Sequence, residues 1–181
     1  MPGCGKSTVG RHLARQLNWR FVDTDAEVER VIGAPIRVFF EQHGEARFRD
    51  VEQEVVDDLT RDANAVVLAT GGGAVLRQAN RACLAARTQA IYLRSTPEEL
   101  YRRLRHDRQR PLLQVRDPLR KLRELYSERD PLYRATARFV IETGRPSVTN
   151  LVNMVLMQLE LAGIVDPLRV PATIGRVLPV G

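Results

Sequence analysis

The run Gly3-Cys4-Gly5-Lys6-Ser7-Thr8 is where chemistry can start in this chain, because it opens a helical pattern and carries most of the phosphate-binding pattern G-x-x-x-x-G-K-[ST]. Backbone N–H groups of a glycine-rich turn and of a helix N-terminus converge on phosphate oxygens, and bulky side chains would obstruct that approach. In this geometry Lys6 reaches the β- and γ-phosphates while the Ser7 hydroxyl ligates magnesium. The lysine itself is informative. Of 28 basic residues only Lys6 and Lys121 are lysine, so the chain uses arginine almost wherever either would serve. The plainer reading is a glycine turn that merely caps a helix. Its position at a helix start, in a chain that alternates strands and helices, favours the phosphate.

Two further clusters stand at the ends of apolar runs. Asp23-Thr24-Asp25 follows Trp19 to Val22, so both carboxylates emerge at a strand's C-terminal end, where open α/β sheets bind ligands. Spaced two apart on an extended segment, they share one face, Asp23 near a magnesium ion and Asp25 near an acceptor hydroxyl. The competing reading is that one of them caps a helix over residues 26–32. Thr70-Gly71-Gly72-Gly73 follows the run Ala65 to Thr70, and three glycines there let backbone N–H groups approach a ligand closely. A flexible loop is the alternative.

The elements that must hold these clusters are legible as alternation. Buried-length apolar runs at residues 19–22, 65–70, 90–93 and 139–142 read as strands, with helical patterns between them, which is the order expected of a parallel sheet covered by helices. Val9, Leu13 and Leu17 give one helix an apolar face, and Phe48, Val51, Val55 and Leu59 give another. Thr96-Pro97-Glu98-Glu99 spells a capping box with a first-turn proline, Ser147 caps a final helix, and Gly163 is placed to end it. Only four strands are visible. The phosphate-binding pattern wants a further glycine immediately ahead of Met1 and an apolar strand ahead of that, so both are expected upstream. From Ile164 onward prolines and the loss of periodicity read as a loose tail, residues 164–181.

The 181 residues suit one domain, and 44% hydrophobic residues can build a single core. No run approaches the roughly 20 apolar residues of a membrane span, and no signal-peptide pattern opens the chain, so a soluble cytoplasmic protein is expected. Cys4 and Cys83 have no metal-ligand partner at short spacing and read as free thiols; the three histidines have no ligand-like spacing either. The net charge of +6 invites a nucleic-acid reading. No aromatic stacking platform is interleaved with the densest arginine run, residues 102–110, and small anionic substrates account for the excess equally well.

Taken in order, Gly3-Cys4-Gly5-Lys6-Ser7-Thr8, Asp23-Thr24-Asp25, Gly44-Glu45-x-x-Phe48-Arg49, Thr70-Gly71-Gly72-Gly73, Arg110-Pro111-Leu112-Leu113 and Arg129-Asp130-Pro131-Leu132-Tyr133 resemble the motif series of shikimate kinases over about residues 1–160. The resemblance implies a three-layer α/β P-loop NTPase fold with a five-stranded parallel sheet in the order 2-3-1-4-5, whose first strand lies ahead of this chain. It further implies one kinase domain over residues 1–163, with a substrate-binding helical insertion at about 26–60 and a lid at about 106–119. By the same resemblance ATP is the co-substrate and Mg²⁺ the cofactor, held by Ser7 and by Asp23 through water. Asp25 takes the proton of the shikimate 3-hydroxyl. Arg49 and Arg129 clamp its carboxylate, and Gly71, Gly72 and Gly73 contact its ring. Arg110 reaches over the γ-phosphate from the lid, and Arg145 contacts the adenine. A monomer without nucleic-acid or membrane partner is expected. Without the resemblance, Arg49 reads as a solvated helix face. A kinase acting on gluconate or a nucleoside monophosphate, and a nucleotide-binding regulator without turnover, stay open at this point.

Overall fold

The computed structural model describes residues 1–62, 64–105, 115–144 and 146–166. Among the described residues four strands and seven helices follow one another: α1 (Lys6–Leu17), β1 (Arg20–Asp23), α2 (Thr24–Ile32), α3 (Ile36–Arg61), β2 (Val66–Ala69), a 3₁₀ turn (Ala74–Leu76), α4 (Gln78–Arg87), β3 (Ile91–Arg94), α5 (Pro97–Leu104), α6 (Pro118–Thr136), β4 (Phe139–Glu142) and α7 (Val148–Leu161). Each expected strand is present within a residue or so of its apolar run.

Punctuation by side chains works as the sequence suggests. Thr96 and Glu99 close a reciprocal capping box at the head of α5, and the Ser147 hydroxyl accepts from the Asn150 amide at 3.2 Å at the head of α7. Gly163, in the left-handed region at φ 68°, follows the end of α7. Gly44 is the exception inside a helix. Its φ of 77° and ψ of 173° break α3 into two segments, so the segment that carries Phe48 and Arg49 starts afresh just after it.

The strands do not form one continuous sheet. Asp23↔Ala69 and the three preceding pairs join β1 to β2 in parallel, and Ile91↔Phe139 through Arg94↔Glu142 join β3 to β4 in parallel, but β2 and β3 do not pair. Parallel pairing throughout is what the expected fold without its first strand requires. The order 2-3-1-4-5 without its first strand reads as the pairs 2-3 and 4-5, which are the two pairs found. A cavity of about 390 Å³ lies between β2 and β3, lined along Val66 to Ala69 and Ile91 to Leu93 and walled by Val9, Leu13, Val155 and Leu159.

Two apolar clusters hold these layers. The larger joins α1, β3, α5, α6 and α7 through residues such as Leu13, Leu93, Leu100, Leu122 and Val152. A smaller one, Val28, Phe48, Val51 and Val55, packs α2 against the second half of α3. The two cysteines are free thiols. Among the described residues, no helix is long and apolar enough to cross a membrane.

Candidate active site

Asp23, at the end of β1, is the residue on which the phosphate side of the site turns. In the extended region at φ −99°, it ends the strand, and its Oδ1 accepts from the Asp25 amide at 3.2 Å to cap α2. Its other oxygen accepts from the Ser7 hydroxyl at 2.7 Å. Capping and the Ser7 contact are therefore compatible roles, not alternatives. The picture of both carboxylates on an extended segment is corrected: the helix starts at Thr24, two residues earlier than expected, and Asp25 stands in its first turn.

The segment from Gly3 to Thr8 turns at Gly5 into the first residues of α1. Gly3 and Gly5 take positive φ, 73° and 88°, which a side chain would resist, and a Cβ on Gly3 would also lie 2.6 Å from Leu104. No side chain caps α1 and no acid stands in its first turn, unlike α2, α5, α6 and α7, which all carry a side-chain cap. The first-turn N–H groups of α1 are thus left for a ligand, and the helix end favours an anion. Lys6 Nζ donates to the Met1 carbonyl at 3.1 Å, as does the Cys4 thiol at 3.1 Å. Cys4 is buried, and Thr8 is exposed on the first turn.

The triple-glycine turn gathers the remaining residues. The buried hydroxyl of Thr24 accepts from the Gly71 amide at 3.0 Å, which ties the turn to the start of α2. A Cβ on Gly71 would lie 2.5 Å from Asp25 Oδ1 and 3.0 Å from Glu52 Oε1, and one on Gly73 would strike the Arg49 guanidinium. The Gly72 carbonyl accepts from Arg129 Nη1 at 3.0 Å and from the Tyr133 hydroxyl at 2.6 Å. Asp25, Arg49, Arg129 and Gly71 to Gly73 therefore stand together, and Pro2 and Met1 of the phosphate side are the backbone neighbours of Gly72, at 3.8 and 3.9 Å from where its Cβ would be.

Two guanidinium groups and two carboxyl groups meet at this turn. Arg49 points inward, with Nη1 donating to Glu52 at 2.7 Å and Nη2 to Glu45 at 2.9 Å, so the solvated-face reading of Arg49 fails. Arg129 Nε is buried with no acceptor among the described residues, an orphan donor that a carboxylate would satisfy. Burial pushes the Asp25 carboxyl above its ordinary value, the charges of Asp23 and Glu29 push the same way, and Lys6 and Arg49 oppose them. Glu52 is raised too, by burial first and by Asp25, against the pull of Arg49.

Three residues of this arrangement had no role assigned from the sequence: Glu52, Thr24 and the Tyr133 hydroxyl. A signal exists for two of them. Glu52 interrupts the apolar stripe of α3 three residues after Arg49, and Tyr133 lies one turn after Arg129 on the same face of α6. On the other side, Arg103 donates to the carbonyls of Thr143 and Gly144, and Ser95 bonds the Thr143 hydroxyl, fixing the loop after β4 where the adenine is expected. Arg110, Arg145, the lid stretch 106–114 and the tail 167–181 lie outside the described residues.

Comparison with known proteins decides the family. The sequence profile described as shikimate kinase matches residues 2–160. The chain belongs to the shikimate kinase family. A shikimate kinase of Burkholderia lata is 59% identical over 163 residues, covering 90% of this chain and 88% of that protein, and one of Ralstonia nicotianae is 57% identical over 165 residues, covering 91% and 86%. Among solved structures, shikimate kinase from Acinetobacter baumannii in complex with shikimate superposes with a TM-score of 0.82 at 45% identity, covering 91% of this chain and 90% of that one. Shikimate kinase from Aquifex aeolicus superposes at 0.78 with 33% identity, covering 91% and 95%. As a member of the shikimate kinase family the chain is an ATP-dependent kinase with an α/β P-loop fold.

Proposed function

We propose that the chain transfers the γ-phosphoryl group of ATP to the 3-hydroxyl of shikimate, with Asp25 as the acceptor-side base. The observation that carries this reading is the meeting of Asp25, Arg49 and the unpaired Arg129 Nε at one glycine turn, directly against the backbone of the phosphate-binding loop. Two guanidinium groups suit a small carboxylate, because each fork fits it in bidentate geometry and together they fix its orientation. A carboxyl group held above its ordinary pKa, and crowded by Gly71, is suited to accept a hydroxyl proton during transfer.

On the nucleotide side, the amides at the head of α1 and Lys6 bind the phosphates, and Arg110 is assigned the γ-phosphate and Arg145 the adenine. Ser7 and Asp23 offer one hydroxyl and one carboxylate oxygen 2.7 Å apart, hard oxygen donors that suit Mg²⁺. Magnesium supplies neutralisation of phosphate charge. The protein's own part is positioning and electrostatic stabilisation, since phosphoryl transfer asks for little covalent help. With two small anions as its substrates, the chain is proposed to act as a cytoplasmic monomer, and its positive charge is assigned to those substrates.

The test is Asp25→Asn, which keeps the side chain's size and removes its basicity. Shikimate-dependent ADP formation should fall about 10²- to 10⁴-fold, with MgATP affinity within about threefold of the parent because Asp25 stands on the acceptor side. Equal losses in turnover and nucleotide affinity would place Asp25 elsewhere, and no ADP formation with shikimate by the unmutated chain would end the substrate assignment.

A further inference from the structure

Tyr133 touches neither substrate in the reading above, yet its hydroxyl sits where the two binding loops meet. It donates to the Gly72 carbonyl at 2.6 Å and accepts from the Met1 backbone nitrogen at 3.0 Å. The same Gly72 carbonyl takes Arg129 Nη1 at 3.0 Å, and the Met1 carbonyl takes Lys6 Nζ at 3.1 Å. Lys6, the Met1 backbone, the Tyr133 hydroxyl, the Gly72 carbonyl and Arg129 thus form one connected path. Both of its ends are cations assigned to ligands.

The ring of Tyr133 has little freedom to follow one loop alone. It is buried and stacks on Tyr92 at 4.7 Å, and the Tyr92 hydroxyl is itself bound to Asp130 at 3.0 Å, which also takes Arg94 and Arg134. Burial raises the Tyr133 pKa, so the hydroxyl keeps its proton and serves as donor to one loop and acceptor from the other. A phosphate oxygen competes with the Met1 carbonyl for Lys6, and a carboxylate competes with the Gly72 carbonyl for Arg129. When one ligand has drawn its cation away and fixed its loop, the shared hydroxyl is already set for the second loop, and the second ligand has less left to order.

We propose that Tyr133 is a positioning residue that couples the phosphate-binding loop to the glycine turn, so that nucleotide and acceptor each tighten the other's binding. The inference rests on the kinase reading. It is tested by calorimetric titration of shikimate with and without saturating MgADP, on the unmutated chain and on Tyr133→Phe, which retains the ring stack. In the unmutated chain MgADP should lower the shikimate Kd by about fivefold or more. In Tyr133→Phe the two ligands should bind singly within about threefold of the parent, with the MgADP effect reduced to less than about twofold. Tyr92→Phe removes a buried hydroxyl of the same network that touches neither loop, and it should keep the coupling while losing stability. Coupling that is absent from the unmutated chain, or undiminished in Tyr133→Phe, overturns the proposal.

A second measurement decides where the first cannot. If Tyr133→Phe does not fold, or if shikimate does not bind the unmutated chain and the substrate reading fails, amide exchange of residues 71–74 in the unmutated chain is followed on adding MgADP alone. Slower exchange supports the coupling, and unchanged exchange overturns it.

Discussion

Gly71→Ala should damage catalysis while Gly72→Ala leaves the fold intact, although each adds the same methyl group to the same turn. A Cβ on Gly71 would lie 2.5 Å from Asp25 Oδ1 and 3.0 Å from Glu52 Oε1, whereas one on Gly72 meets nothing closer than 3.8 Å. Ordinary van der Waals contact starts at 3.4 Å, so the Asp25 carboxylate has to retreat by roughly 1 Å to admit the methyl group at position 71. A misplacement of about 1 Å in a reacting group costs up to about 10²-fold in rate, so kcat should fall about tenfold to 10²-fold in Gly71→Ala. Neither glycine takes a positive φ, so backbone strain does not confuse the comparison. The assay is shikimate-dependent ADP formation on both variants, with thermal unfolding measured beside it. Gly72→Ala should keep its melting temperature within about 2 °C of the parent. Equal damage from the two substitutions would show that the turn needs glycine for flexibility instead of close approach, and would refute the reasoning.

Arg49→Lys replaces a fork that spans Glu45 and Glu52 with a single point charge, so the shikimate KM should rise about tenfold or more while the ATP KM stays within about twofold; a change confined to ATP would remove Arg49 from the acceptor side.

Strand cores and helix starts are legible because they rest on local rules. The run Phe139 to Glu142 forms β4 as its apolar residues suggest, and Thr96 to Glu99 caps α5 with its own side chains. Strand pairing is not local, and the division into β1–β2 and β3–β4 is legible only through the family order 2-3-1-4-5, which without its first strand leaves those two pairs and a cavity between β2 and β3. The same distinction governs the site. Lys6 and Ser7 declare themselves by spacing around glycine, whereas Glu52 and Tyr133 act through partners 19 and 61 residues away, Gly71 and Gly72, that no helical period reveals. The boundary error at Asp23 and Thr24 has a physical cause: a carboxylate that can cap a helix competes with extension of the strand, and here the cap wins.

The three glycines illustrate how a motif can carry three separate constraints. None of Gly71, Gly72 and Gly73 takes a positive φ, so left-handed backbone is not what selects them. Gly71 is held small by Asp25 and Glu52 on one flank, and Gly73 by the Arg49 guanidinium on the other. Gly72 has open space for a methyl group, and its contribution is its carbonyl, which receives Arg129 and Tyr133. A carboxylate from α2 and a guanidinium from α3 are thereby pressed against the two flanks of a turn whose central carbonyl anchors α6. Pro2 and Met1 back directly onto Gly72, so the turn that gathers Asp25, Arg49 and Arg129 and the loop that holds Lys6 are in contact through their backbones, which is the geometry on which the proposed coupling through Tyr133 depends.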